Sequence, residues 1–260
     1  MNKQLTGKVA VITGASSGIG ALMARDLSEL GAIPVLIARS EDKLQQAAQA
    51  VRGEHSIYTL DVGNAEQVVC IFEQIREKYG RIDILINSAG YGIFETVVDT
   101  PLDKFEDMMN INYMGTIRCI KAVLPQMLEQ GSGHIVNIAS LAGKIGSAKG
   151  GGYSATKHAV LGLTNCLRHE LDGTGVTVSV INPGPIDTNF FAIADPSGGY
   201  VKNIQWLMLR PEKVSTACMK AILHRKAEIN LPYLAGIGSK LYQILPRSLD
   251  RYLFGMLNQK

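Results

Sequence analysis

A tyrosine and a lysine four residues apart open the most informative stretch of this 260-residue chain. Tyr153 and Lys157, in Tyr153-Ser154-Ala155-Thr156-Lys157, stand near the start of a predicted helix from about Gly152 to Leu171. The i, i+4 spacing puts both side chains on one face, about one turn apart. A phenol titrates near pH ~10, too high for efficient proton transfer at neutral pH. An ammonium one turn away favours the phenolate and lowers that value. Tyr-x-x-x-Lys recurs by chance, so its weight comes from Ser140, which ends the preceding predicted strand 13 residues upstream. A hydroxyl there can hold a carbonyl oxygen. Ser140 and Tyr153 are therefore expected to touch substrate, with Lys157 tuning the proton donor.

A second cluster lies near the N-terminus. Thr13-Gly14-Ala15-Ser16-Ser17-Gly18-Ile19-Gly20 follows a predicted strand, Val9–Ile12, and opens a helix running from Ile19 to Leu30. Glycines at a strand-to-helix turn allow close backbone approach, so free N–H groups can face a pyrophosphate. The spacing is G-x-x-x-G-x-G rather than the usual G-x-G-x-x-G. We expect Gly14, Ser16, Ser17, Gly18, Ile19 and Gly20 to line a dinucleotide.

The next strand, Ile33–Ala38, ends in Ala38-Arg39-Ser40, where an acidic residue would hold the ribose hydroxyls of NAD. Without that carboxylate a 2′-phosphate is not repelled, and a guanidinium with a hydroxyl beside it can grip it. Arg39, assisted by Ser40 and with Lys43 in reach, predicts NADP(H); the plainer reading is a solvated arginine at a strand end. Asp61-Val62 closes the third strand, where a carboxylate could accept from an adenine amino group. Asn87-Ser88-Ala89-Gly90 closes the fourth with small residues, leaving room for a flat ring; Asn87, Ala89 and Gly90 are assigned to the cofactor.

The elements that must position these residues follow from apolar patterning. Short β-branched runs at 9–12, 33–38, 57–60, 82–86, 134–139, 176–181 and 229–231 alternate with helical stretches at 19–30, 41–51, 65–79, 102–130, 152–171 and 211–225. Unbroken apolar runs mark strands buried on both faces. The rhythm predicts an α/β fold: one Rossmann-type domain over 1–260, a doubly wound parallel sheet of about seven strands with helices on both faces. A net charge of +3 argues against nucleic acid as a partner. Cys70, Cys119, Cys166 and Cys218 lie far apart with no metal-ligand spacing, and their apolar helical surroundings predict buried thiols. With no apolar leader and no uncharged run of about 18–20 apolar residues, a cytoplasmic location is expected.

Thr-Gly-x-x-x-Gly-x-Gly, Asn87-Ser88-Ala89-Gly90, Ser140, the Tyr-Ser-Ala-Thr-Lys run and a Pro183-Gly184 turn, in this order, resemble the short-chain dehydrogenase/reductase superfamily in its branch of about 250 residues. The likeness spans roughly residues 5–190. It implies an Asn-Ser-Tyr-Lys tetrad, here Asn112, Ser140, Tyr153 and Lys157, with Asn112 holding a water of the proton relay and Lys157 also on the nicotinamide ribose. It further implies that Pro183, Gly184, Ile186 and Thr188 meet the carboxamide, that about 189–210 forms a substrate lid, and that the chain is a homodimer or homotetramer built on the helices after the fourth and fifth strands.

Three positions depart from the family pattern: Ser88 for a second Asn, Ser17 for a basic residue, and Lys149 with Gly150–Gly152 before the tyrosine. The implied activity is hydride transfer between a nicotinamide and a carbonyl or secondary alcohol. A nucleotide-sensing protein on the same fold is the competing reading. Phe190, Phe191, Tyr200, Trp206, Leu207 and Met208 suggest an apolar substrate, or simply a lid packed on its sheet.

Charge is unevenly spread. Residues 202–260 carry 10 basic and 3 acidic side chains. Within the C-terminal extension, about 232–260, Ser248 can cap a helix bearing Leu249, Tyr252, Leu253, Met256 and Leu257 as an apolar stripe, flanked by Arg247, Arg251 and Lys260. Lys240 to Leu245 form another apolar cluster. We expect this tail to cover the substrate entrance or a subunit interface; a membrane-surface or lipid contact is the alternative.

Overall fold

In the computed structural model, which describes residues 4–196 and 198–244, seven parallel strands form one sheet. They are β1 (Val9–Thr13), β2 (Ile33–Ala38), β3 (Ser56–Thr59), β4 (Ile84–Asn87), β5 (Gly133–Ile138), β6 (Val176–Pro183) and β7 (Glu228–Leu231), in the order β3-β2-β1-β4-β5-β6-β7. Successive residues feed opposite cores, as the two-residue period of a strand requires. Ala10, Ile12, Leu36, Ile84, Ile86 and Val136 belong to one apolar layer. Val9, Val11, Val35, Ile37, Leu85 and Ile135 belong to the other. Both faces are covered, which is why the strands read as unbroken apolar runs.

Helices α1 (Gly18–Glu29), α2 (Glu41–Ala48) and α9 (Pro211–His224) supply the first layer. The second is supplied by α3 (Ala65–Tyr79), α5 (Gly115–Glu129) and the far end of α6 (Gly151–Glu170). Asp83, just before β4, ties the sheet together at its amino end. It accepts from the Val9 N–H at 3.0 Å, from Lys8 Nζ at 2.9 Å and from Arg81. Burial alone would raise this carboxyl, but the Arg81 and Lys8 hydrogen bonds win and hold it below the usual range. The winding direction reverses between β1 and β4, so the carboxyl ends Thr13 and Asn87 flank the crevice where such sheets bind ligands.

The long helix expected over 102–130 is three pieces. α4 (Leu102–Met109) passes into a π-helical turn, Asn110–Met114, before α5 resumes. Further helices appear at α7 (Phe190–Ala194), α8 (Gly199–Ile204) and α10 (Tyr233–Ile244). The cysteine expectation holds for Cys119 and Cys218, whose burial raises both thiols, Cys119 to about 12. It fails for Cys70 and Cys166, which are exposed. Both sit on the outward faces of their helices, away from the apolar stripe that packs on the sheet. The stripe at 248–260 lies outside the described residues, as does the Tyr200 side chain.

Candidate active site

The glycine loop is locked to the fourth strand by one hydroxyl. Thr13 Oγ1, at the end of β1, accepts from the Ser88 and Ala89 N–H groups, each at 3.1 Å. Gly14 follows at φ +69°, and a Cβ there would stand 2.8 Å from Ala89 Cα. No side chain fits between these two turns. The N-terminus of α1 has neither a side-chain cap bond nor an acidic residue in its first turn, so no side chain there offsets its amide dipoles. Thr188 lies across from Gly18: a Cβ on that glycine would meet Thr188 Cγ2 at 3.6 Å. The 183–188 turn therefore borders the same crevice as the loop, although 170 residues separate them in sequence.

Further along the sheet edge, Asp61 turns inward on its own loop, accepting from the Gly63 N–H at 2.8 Å. Val62 is buried against Gly115 at the head of α5. Arg39 is exposed at the end of β2, and Ser40 caps α2 without a side-chain cap bond. Glu41 and Asp42 follow it in the first turn of α2. The Arg39 charge is felt at Tyr91, whose phenol burial and a hydrogen bond to Asp107 push upward.

The four residues of the expected tetrad come from three places: the π-helical turn, the turn after β5 and, for both Tyr153 and Lys157, the start of α6. Asn112 sits in the π-helical turn, 1% exposed, and its side chain is fully engaged. Oδ1 accepts from the Tyr91 N–H at 3.0 Å. Nδ2 donates to the Tyr91 carbonyl at 2.8 Å and to Thr156 Oγ1 at 3.0 Å. Asn112 thus clamps the loop after β4 to α6. Thr156 in turn donates to the Tyr153 carbonyl at 2.8 Å. Gly90 fits here because a Cβ would lie 2.9 Å from Asn112 Oδ1 and 3.7 Å from Lys157 Nζ. That brings Gly90, Asn112 and Lys157 together.

Lys157 is buried, and its Nζ donates to the Ile138 carbonyl at 2.9 Å. Burial pushes its ammonium down from 10.5 to about 8. The same Nζ stands 5.7 Å from the centre of the Tyr153 ring. Ser140, two residues past β5, accepts from the Ala142 N–H at 3.1 Å and donates to the Pro183 carbonyl at 3.3 Å. For an O–H donor 3.3 Å is long, so this hydroxyl is loosely held and can turn to a closer acceptor.

Sequence reasoning passed over Phe94 and gave Phe190 only as one of the aromatics of the expected lid. Phe94 packs edge-on to Tyr153 at 5.9 Å, and Phe190 lies 5.5 Å from the same ring. Phe94, Phe191, Ala194, Ile204 and Met208 form a small apolar cluster of their own. The Phe94 N–H donates to the Ala194 carbonyl at 2.9 Å, tying the loop after β4 to the loop after β6. Of the aromatic and apolar residues singled out earlier, Trp206 and Leu207 point to solvent instead. Under the crevice, Asn87 donates to Asn137 and Asn137 to Thr164, each at 2.9 Å. Only Phe94 carried a usable signal, an aromatic four residues beyond the Asn87–Gly90 turn.

Among known proteins, the short chain dehydrogenase family profile matches residues 8–196. An uncharacterized oxidoreductase of Staphylococcus aureus strain MRSA252 is 39% identical over 223 residues, covering 85% of this chain and 94% of that one. Among solved structures, a short chain dehydrogenase/reductase from Burkholderia phymatum in complex with NAD superposes with a TM-score of 0.85 at 28% identity, covering 96% of both chains. An alcohol dehydrogenase from the archaeon Thermococcus sibiricus, complexed with 5-hydroxy-NADP, gives 0.74 at 30% identity, covering 86% of this chain and 95% of that one. With the family's sheet, its crevice and its sequence profile all present, the chain belongs to the short-chain dehydrogenase family of oxidoreductases.

Proposed function

We propose that this oxidoreductase is NADP(H)-dependent and interconverts a carbonyl and a secondary alcohol on an apolar substrate. The observation that carries the reading is the buried Lys157 ammonium 5.7 Å from the Tyr153 ring, beside a loosely held Ser140 hydroxyl. The residues present fit a dinucleotide. Gly14 leaves backbone room that a Cβ would fill, and the first turn of α1 offers N–H groups with no side-chain competitor. Gly14, Ser16, Ser17, Gly18, Ile19 and Gly20 would hold the pyrophosphate. Arg39 and Ser40 would hold the 2′-phosphate, Asp61 and Val62 the adenine, and Asn87, Ala89 and Gly90 the middle of the cofactor. Pro183, Gly184, Ile186 and Thr188 would hold the nicotinamide end. When bound, the nicotinamide supplies or accepts the hydride.

Tyr153 gives its phenolic proton to the carbonyl oxygen during reduction and takes it back during oxidation. Lys157 holds a positive charge against the ring and so makes the phenolate accessible near neutral pH. Ser140 releases the Pro183 carbonyl and donates to the substrate oxygen, stabilising charge as it develops there. Asn112, through Tyr91 and Thr156, keeps the loop after β4 and the start of α6 in register and positions the relay water. Phe94 and Phe190 enclose Tyr153 in apolar surface, which favours a hydrophobic carbonyl substituent. The choice of NADP(H) rests on Arg39, since relatives of this fold hold NAD and an NADP analogue alike.

We further propose one domain, with a lid over about 189–210 and a C-terminal extension from about 232, a cytoplasmic location, and assembly into a homodimer or homotetramer. Among the described residues no helix is long and apolar enough to cross a membrane. The test is NADPH and NADH consumption with a panel of aliphatic and aromatic ketones and aldehydes, repeated with Tyr153→Phe. Turnover should fall at least ~10³-fold in the variant while NADPH affinity survives, because only the proton donor is lost. Substantial activity in the variant would place the proton elsewhere. NADPH binding without turnover of any carbonyl would favour the sensor.

A further inference from the structure

Helix α10 is built inside out. It buries Gly236 and Ser239, and a Cβ on Gly236 would stand 2.5 Å from Asn230 Cβ. Its large side chains face the other way. Tyr233, Leu234, Ile237, Leu241 and Ile244 are 74%, 77%, 42%, 58% and 81% exposed. At about 100° per residue these five fall within an arc of about 100°, with Lys240 on its margin. A helix on a water-facing surface normally does the reverse.

The arrangement extends beyond one helix. Of the 14 large hydrophobics that the described residues expose, 11 lie after the carboxyl ends of β4, β6 and β7, up to the first residue of α4. Those are the ends that carry the candidate site. α10 itself lies against the turn that follows Ser140, with Gln243 Nε2 donating to the Lys144 carbonyl at 3.1 Å. Trp206 is 76% exposed on the lid. One edge of the molecule therefore combines the mouth of the site with an apolar, aromatic-bordered surface.

We infer that this edge docks on an anionic lipid surface, with the apolar face of α10 seated at the headgroup boundary and the mouth of the site turned toward the acyl region. Charge in the C-terminal segment favours this occupant. Residues 229–260 contain Lys240, Arg247, Arg251 and Lys260 against the single acid Asp250. The 16 residues after Ile244 continue the same composition, with Leu245, Leu249, Tyr252, Leu253, Phe254 and Met256 among basic side chains. On the described surface, Trp206 and Tyr233, the aliphatics of α10 and Lys240 match a bilayer interface. Each basic residue near an anionic leaflet adds attraction that salt screens. The inference goes beyond the proposed reaction and does not depend on it.

The test uses the full chain and vesicles of phosphatidylcholine, with and without about one-third phosphatidylglycerol. The intact protein should cosediment with the anionic vesicles, more weakly at high salt. The combined change Leu234→Ser, Ile237→Ser and Leu241→Ser should lower that binding at least ~10-fold, and Lys240→Glu on the order of fivefold, with NADPH affinity unchanged. Failure of the intact protein to bind anionic vesicles overturns the inference. So does binding that survives the triple change. A smaller mass of the triple variant by light scattering also overturns it, assigning the face to a second copy of the chain. None of these outcomes bears on whether Tyr153 is the proton donor, which the ketone panel decides separately.

Discussion

Removing the Lys157 charge should stabilise the protein while destroying its activity. Burial pushes the ammonium from 10.5 down to about 8, so holding it charged inside the fold costs roughly 3 kcal/mol at 1.36 kcal/mol per pKa unit. Lys157→Met keeps an unbranched stem of similar length and removes that cost. It also leaves the Ile138 carbonyl without its 2.9 Å donor, at about 1 kcal/mol. The net gain is about 2 kcal/mol, or a rise of roughly 4–8 °C in Tm for a chain of this size. The sign has a pH signature. Below about 8 the lysine is charged in both folded and unfolded states, and the wild type bears the whole cost. Between about 8 and 10.5 the unfolded chain binds the extra proton, so wild-type stability rises relative to the variant. Urea unfolding of both proteins without cofactor at pH 6, 8 and 9.5 measures this difference. An Lys157→Met variant less stable at pH 6, or a gap that does not narrow toward pH 9.5, would refute the burial argument. Turnover should be lost and NADPH affinity lowered, because the same side chain serves both.

Two further outcomes follow from charge. Arg39→Asp should lower kcat/KM with NADPH by on the order of 10- to 100-fold, the worth of a charge-assisted phosphate contact, and turn the preference to NADH; equal kcat/KM for both cofactors in the unmodified enzyme would remove the assigned role of Arg39. Asp83→Asn should destabilise by on the order of 1–3 kcal/mol at pH 7. Because the folded-state carboxyl is held below its unfolded value, that loss should be full above about pH 4 and fade as acid protonates the wild type; a destabilisation independent of pH would count against the Arg81 and Lys8 contacts as its source.

The strand ends were legible in the sequence because a parallel sheet buried on both faces leaves no polar alternation to confuse the reading. Ala10 and Val11 go to opposite cores, and both are apolar. The Tyr153–Lys157 pair was legible because helical spacing dictates a shared face. Asn112 was reached only through family likeness, since a π-helical turn uses the same residues as an α-helix and leaves no mark in hydropathy. Phe94 sits in an irregular loop, and its approach to Tyr153 depends on the hydrogen bond to Ala194, a pairing between segments 100 residues apart. Cys70 and Cys166 show the limit of periodicity from the other side. An apolar stripe identifies the buried face of a helix, not every apolar-looking position on it. The same limit hid α10, where small residues are buried and large ones exposed.

Several departures from ordinary packing meet at the candidate site, although Gln130 Oε1 and two Arg168 nitrogens, toward the amino ends of β5 and β6, also lack a partner. Among the described residues, Asn87 Oδ1, Ser154 Oγ and Asn182 Oδ1 are buried without a protein hydrogen-bond partner. All three lie at the carboxyl ends of β4 and β6 or one residue from Tyr153. Ser140 holds its acceptor at 3.3 Å, and Lys157 keeps a charge in a buried position. Each such feature costs on the order of 1–3 kcal/mol. The two apolar layers under the sheet offset them, and Asp83 fastens the opposite end with three donors. The carboxyl ends of the strands thus bring unpartnered polar atoms, a loosely held hydroxyl and a buried charge together at one place, and a ligand that supplied partners there would add to the stability of the fold.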